Sequence, residues 1–229
     1  QIMIEPSISG WFRPRPETSP GDPKLTEIHR DEHHAGVFIG GIGAARNFVG
    51  LNECNIRAVL DVAAGDPRQQ AGLELPAVAE HGTAALALSA STAVRRVEEL
   101  HLSDSSADAD DESPQLEAAV LLLEEMARNE APVLLHCTAG QSRSCAIAAL
   151  FLMRIRDISL KEAYQHLKSV HPIAYPNYGL WCVMREKEKL WRGSSSISPE
   201  ALYEHEDIEF CVEEGDEEED GSDWGPPPS

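Results

Sequence analysis

From residue 35 to residue 191, short apolar runs closed by glycine or proline alternate with longer stretches of helical period. "AGVFIGG" (35–41) and "IRAVLDVAA" (56–64) are rich in branched aliphatics; the second ends at "GDP", and both read as strands. Between them, "ARNFVGLNECN" (45–55) reads as a helix. "RVEELHLSD" (96–104) alternates with period two and runs into the acidic loop "SDSSADADDESP". "APVLLHC" (131–137) is apolar almost throughout, the pattern of a strand covered on both faces. Helical spacing governs "QLEAAVLLLEEMARNE", with Pro114 placed in its first turn. It returns in "SRSCAIAALFLMRIR" (142–156), "SLKEAYQHLKSVH" (159–171) and "NYGLWCVMREKEKLW" (177–191). Ser159 and Glu162 stand at capping-box spacing and fix the start of the second of these. Residues 65–96 are rich in alanine, offer one candidate strand at "TAALALS" (83–89), and have no assigned role.

Strands in the first half, with helices first interspersed and then dominant, predict an α/β layered domain over residues 35–192. Residues 1–34 form a Pro-rich extension. There "RPRPETSPGDP" removes backbone donors and argues against regular structure. None of the 19 basic residues but 13 of the 39 acids follow Arg192, so residues 193–229 read as an acidic, disordered tail.

The formal charge of −20 disfavours nucleic acid and anionic membranes as partners and suits a basic partner for the tail. No run of about 18 apolar residues exists to span a membrane. The N-terminus, "QIMIEPSISGWF", lacks Met and has neither a basic nor an apolar signal region, which reads as a trimmed start. Five cysteines, at 54, 137, 145, 182 and 211, form no C-x-x-C pair; an intracellular protein, cytoplasmic or nuclear, is expected. "HRDEHH" (29–34) gathers three histidines among acids beside the extension; it reads as a solvated segment, and no metal or cofactor is expected.

Residues 136–144, "HCTAGQSRS", carry the chemistry. The strand delivers Cys137 to the sheet's carboxyl edge, where α/β folds collect ligands. Thr138, Ala139, Gly140, Gln141 and Ser142 make a tight loop whose amides can form an anion nest. The helix beginning near Arg143 adds the positive end of its dipole, and Arg143 supplies a fork matched to two phosphate oxygens. A field of that sign favours the Cys137 thiolate, the form that attacks. A structural cysteine beside a chance arginine is the alternative reading. Strand, Gly140 three residues on, Arg143 six on and a helix together argue against it.

This stretch resembles the signature H-C-x-x-G-x-S-R-S of the cysteine-based phosphatases, and specifically the dual-specificity branch. The resemblance spans roughly residues 35–191, with "GVFIGGIGAARN", "IRAVLDVA" and "HPIAYPNYGLW" matching the flanking elements. It implies a three-layer architecture, a central mostly parallel sheet flanked by helices. Cys137 would form a phosphocysteine, Arg143 would bind the phosphoryl oxygens, and Ser144 would donate to the departing thiolate. His136 would brace the loop, or simply be a satisfied core histidine. Asn177 would buttress the loop, with a helix N-cap an equal reading. The resemblance places the general acid at Asp104, 33 positions before Cys137 and directly after a strand, with Asp108 second among the acids of that loop.

A phosphorylated protein carrying phosphotyrosine, phosphoserine or phosphothreonine is the implied substrate. Thr138, Ala139 and Gln141 leave the loop without lysine, which weakens a phosphoinositide reading. "HCTAG" is similar to the glucan phosphatases, but the continuation differs and 35 residues before the domain leave no room for a carbohydrate module. The same short segment argues for a stand-alone, atypical member without a docking domain. A catalytically silent phosphate-binding adaptor is the remaining alternative, although nucleophile, arginine and acid candidates are all present.

Overall fold

The computed structural model describes residues 21–34, 36–66, 94–104, 109–129 and 132–198. The candidate strand at 83–89, Asp108 and everything from residue 199 onward lie outside the described residues. Five strands form one mixed sheet: β1 (Thr26–His29), β2 (Val37–Gly40), β3 (Ala58–Asp61), β4 (Arg96–Glu99) and β5 (Val133–His136). Their order is β1-β2-β5-β3-β4, parallel except for β1, which runs antiparallel to β2 at one edge.

Period-two alternation in the central strands makes three layers. Val37, Ile39, Ala58, Leu60, Val133 and Leu135 face one core, with the long helices α3 (Ala109–Asn129), α4 (Arg143–Arg156), α5 (Leu160–Val170) and α6 (Tyr178–Arg192). Phe38, Val59 and Leu134, the residues between them, face a smaller core with Ala45 and Leu51. That second layer comes from α1 (Ile42–Ala45) and α2 (Phe48–Glu53). Every residue of β2, β3 and β5 is buried, Asp61 and His136 at the strand ends included, as strands covered on both faces require.

Four local expectations are corrected. Strand β1 lies inside the segment expected to lack regular structure. Its "TEIH" buries Thr26, Ile28 and His29 while Glu27 stays exposed, and backbone pairing to β2 outweighs the nearby prolines. The helix expected over 45–55 shortens to α2, with α1 ending at Ala45, because Asn47 breaks the run and caps α2 by accepting from Gly50 N–H at 3.0 Å. Helix α3 begins at Ala109, so Pro114 sits beyond its first turn, and Asp110 and Asp111 belong to its opening turn and not to a loop. The fourth correction concerns "HRDEHH". His29 and His34 are buried, and both rings hydrogen-bond Asp31, at 2.9 and 3.1 Å.

One ligand atom from each of His29, Asp31 and His34 falls within 4.8 Å of the others, yet the protons oppose a cation. Arg156 donates to His29 Nδ1 from Nε at 3.2 Å and from a terminal nitrogen at 3.0 Å, so His29 Nε2 must carry the hydrogen given to Asp31. A metal there would need that lone pair. Burial lowers the His29 pKa and keeps the ring neutral. The cluster ties the β1–β2 turn to the end of α4.

The described chain continues past α6 to Ser198. Glu188, buried in α6, accepts from Leu160 N–H at 2.8 Å and from Ser196 N–H at 2.7 Å, and Arg185 donates to the carbonyl of buried Ile197 at 2.8 Å. Truncation after Ser198 removes mainly acidic residues and is expected to leave the melting temperature unchanged. Truncation after Arg192 removes Ile197, whose burial contributes about 1.5–3 kcal/mol, and strips Glu188 of buried partners. A drop of roughly 5–15 °C is expected for the shorter chain by thermal denaturation. Equal melting temperatures would contradict this role for residues 193–198.

Candidate active site

Strand β5, central in the sheet, ends at His136, and α4 begins at Arg143; the six residues between make the loop. Gly140 adopts φ +69°, and a Cβ there would lie 2.6 Å from the backbone of Gly40 and Gly41. Only glycine fits that close approach. The loop's carbonyls are spent on the surrounding scaffold. Thr138 accepts from Ile42 N–H at 2.9 Å and Gln141 from Tyr175 N–H at 2.7 Å. Gly140 accepts from His171 Nε2–H at 2.7 Å. In a trans peptide the following N–H points opposite to the carbonyl. The amides of Ala139, Gln141 and Ser142 are therefore directed away from these partners, as an anion nest requires.

Cys137 is 2% exposed, and its Sγ lies 3.2 Å from Ser144 Oγ. It sits at the N-terminal end of a 14-residue helix, where the dipole favours negative charge. Cys145 differs: burial pushes its thiol well above the usual range, and Sγ donates to the Gly140 carbonyl at 3.4 Å. The two cysteines of "HCTAGQSRSC" are thus separated by environment into one at the nest and one held as a thiol.

Arg143 is buried, with Nη1 donating to the Leu102 carbonyl at 3.1 Å. Its Nη2 donates to Asp66 Oδ2 at 2.7 Å and Thr138 Oγ1 at 3.0 Å. Asp104 approaches the same nitrogen at 4.0 Å, so the loop after β4 does face the nest. The Asn177 side chain makes the N-cap, and its contact with the loop comes from its backbone. Its Oδ1 caps α6 by accepting from Leu180 N–H at 2.9 Å, while Nδ2 donates to Asp104 Oδ1 at 3.1 Å. Its backbone N–H donates to Ser142 Oγ at 3.1 Å, tying α6 to the loop as well. His136 braces weakly, donating from Nδ1 to the Cys137 carbonyl at 3.3 Å, with Asp61 3.9 Å from the same nitrogen.

Residues that sequence reasoning missed do most of the remaining bracing. His171 bridges Gly140 to Thr26, whose hydroxyl donates to Nδ1 at 3.1 Å; burial lowers its pKa, which suits a neutral ring with one donor and one acceptor. Asp66, buried beyond β3, bonds both Arg143 and Thr138. Asp61 had a signal of its own, a lone acid inside the apolar run "AVLDV"; Asp66 followed a glycine and read as a turn. A cavity of about 440 Å³ at the opposite end of α4, lined by Glu124, Arg154 and Trp191 among others, is remote from this constellation.

Known proteins share the fold. The family described as dual specificity phosphatase, catalytic domain, matches residues 37–190, and this chain belongs to it. Among curated relatives, mouse dual specificity phosphatase 28 is 30% identical over 166 residues, 72% of this chain and 88% of the relative. Among solved structures, human DUSP28 superposes with a TM-score of 0.55 at 25% identity, covering 78% of this chain and 99% of that one. A mouse putative dual specificity phosphatase complexed with zinc tungstate gives 0.55 at 26%, covering 79% and 95%. The protein is accordingly a dual-specificity protein phosphatase, a hydrolase of phosphoric monoesters. Among the described residues no helix is long and apolar enough to cross a membrane.

Proposed function

We propose that Cys137 is the nucleophile, Arg143 the phosphate-binding arginine, Asp104 the general acid and Ser144 the donor to the leaving thiolate. The Cys137 Sγ attacks phosphorus while the phosphorus–oxygen bond to the substrate side chain breaks, and Asp104 gives its proton to the departing oxygen. Water then attacks the phosphocysteine, Asp104 takes the water's proton, and the sulfur leaves with Ser144 O–H donating to it. One observation supports this reading above the rest. Asp104 comes within 4.0 Å of Arg143 Nη2 and Ser144 Oγ lies 3.2 Å from Cys137 Sγ, at a loop that turns its amides away from the scaffold.

The substrates we assign are phosphotyrosine and phosphoserine or phosphothreonine in proteins. Thr138, Ala139 and Gln141 bring no cation to the loop for a polyphosphorylated headgroup. The similar mouse phosphatase is complexed with zinc tungstate, and tungstate is a tetrahedral oxyanion shaped like phosphate, which fits a nest of this kind. The charge of the last 37 residues favours a basic partner over nucleic acid or an anionic membrane, and a thiolate nucleophile calls for the reducing cytoplasm or nucleus. A panel of phosphopeptides, phosphoinositides and phosphoglucan tests the assignment. Phosphopeptides should be turned over at least about tenfold faster in kcat/KM, a difference of roughly 1.4 kcal/mol. Preferential release from a lipid or glucan would replace it.

A further inference from the structure

We propose that Asp66 is a positioning residue for the phosphate loop, a carboxylate that braces the loop's two ends against each other and sets the orientation of Arg143. The inference rests on the phosphatase reading above and adds to it a residue outside the signature. Asp66 Oδ2 accepts from Arg143 Nη2 at 2.7 Å and from Thr138 Oγ1 at 3.1 Å, and Thr138 Oγ1 accepts from the same Nη2 at 3.0 Å. These three groups close a triangle. Thr138 is the first loop residue after the nucleophile and Arg143 is the helix residue that follows the loop, so the triangle fixes the span within which a phosphoryl group must fit. All three residues are at least nine-tenths buried, and little water competes for the bonds.

The donors of Arg143 show what this orientation provides. Nη1 is held by the Leu102 carbonyl and both Nη2 hydrogens are directed at Asp66 and Thr138. Nε–H is buried and unpartnered among the described residues. A buried donor without a partner is costly unless a ligand completes it. In a loop built for an oxyanion, that donor is available to a phosphoryl oxygen. Asp66 and the Leu102 carbonyl hold the two terminal nitrogens of the guanidinium and so fix the direction of Nε–H. A free arginine side chain would have to be ordered at each binding event. The brace also gives Arg143 its own counter-ion, so that Asp104, 4.0 Å away, is not drawn into that role.

Two readouts separate orientation from simple stabilisation. Inorganic phosphate binding, measured by calorimetry on the full chain, needs no turnover; kcat and KM on an aryl phosphate give the catalytic consequence. Asp66→Ala should weaken phosphate binding and lower kcat/KM, each by roughly 10–100-fold, the range for a lost hydrogen bond to a charged group. Asp66→Asn keeps an oxygen in place to accept from both Arg143 and Thr138, and should recover most of the loss. In an Arg143→Lys background, which has no fork to orient, Asp66→Ala should cost almost nothing further. Should Asp66→Ala lower only the melting temperature, with phosphate affinity and kcat/KM unchanged in the folded protein, the brace would be structural and the proposal wrong. Tighter phosphate binding in Asp66→Ala would overturn it from the other side, since Asp66 would then be holding Arg143 away from the ligand. Wild-type protein that binds phosphate but hydrolyses no aryl phosphate would count against the phosphatase reading alone, and the binding arm would still decide Asp66.

Discussion

Cys137→Ser is expected to remove phosphatase turnover, by roughly 10⁴–10⁶-fold as for other nucleophile deletions, while the protein still binds oxyanions. The nest is made of backbone, and serine takes cysteine's place without disturbing the carbonyl bonds of Thr138, Gly140 and Gln141 that orient it. What changes is the attacking atom. A serine hydroxyl stays protonated where a thiol at a helix N-terminus can ionise, and no residue of the loop is a base able to take its proton. The amides that bind the oxyanion are unchanged, so affinity for phosphate should hold. Aryl phosphate kinetics together with phosphate calorimetry check both halves. Turnover within tenfold of wild type would remove Cys137 from the chemistry, and lost binding with a native melting temperature would show that the nest depends on the sulfur.

Asp104→Ala carries the second large effect, selective by leaving group. A serine alkoxide or tyrosine phenolate departs badly without a proton, and general acid catalysis contributes about 10²–10⁴-fold. An activated aryl phosphate, whose leaving group is already acidic, needs that proton far less. The variant should therefore lose activity on phosphopeptides by about that factor, lose much less on the activated ester, and lose the basic limb of its pH–rate profile. Asn177 holds Asp104 through Nδ2 while capping α6, which keeps the carboxylate on the nest side of its loop. Asp108→Ala, made in parallel, should do neither. Leaving-group dependence appearing in Asp108→Ala instead would move the acid along the loop, and uniform losses on both substrates in Asp104→Ala would make Asp104 a structural residue.

What could be read before folding follows from how local each feature is. Cys137, Gly140, Arg143 and Ser144 lie within eight positions, and a strand-loop-helix unit carries its geometry in its own spacing. The central strands were legible because burial on both faces leaves an unbroken apolar run. The capping box at Ser159 was legible because its partners are three residues apart. Asp66 was not, since it meets Arg143 across 77 positions of chain and nothing in "GDP" distinguishes a turn acid from a buried one. His171 reaches Gly140 from 31 positions away and Thr26 from 145, and it looks in sequence like one more histidine before a proline. Strand β1 escaped because four residues beside prolines carry little pattern, and its partner strand decides its conformation.

The covalent intermediate is the most direct test of phosphoryl transfer through Cys137. Ser144→Ala removes the hydroxyl 3.2 Å from Sγ, which should slow departure of the sulfur in the second step more than its attack in the first. Rapid acid quench of this variant during turnover of an aryl phosphate, followed by peptide mass spectrometry, should find one added phosphoryl group on the peptide containing Cys137 and Cys145. Fragmentation should place it on Cys137, and the Cys137→Ser protein should carry none. A phosphoryl group on any other residue, or steady turnover with no covalent species on a chain whose Cys137 is intact, would contradict the account.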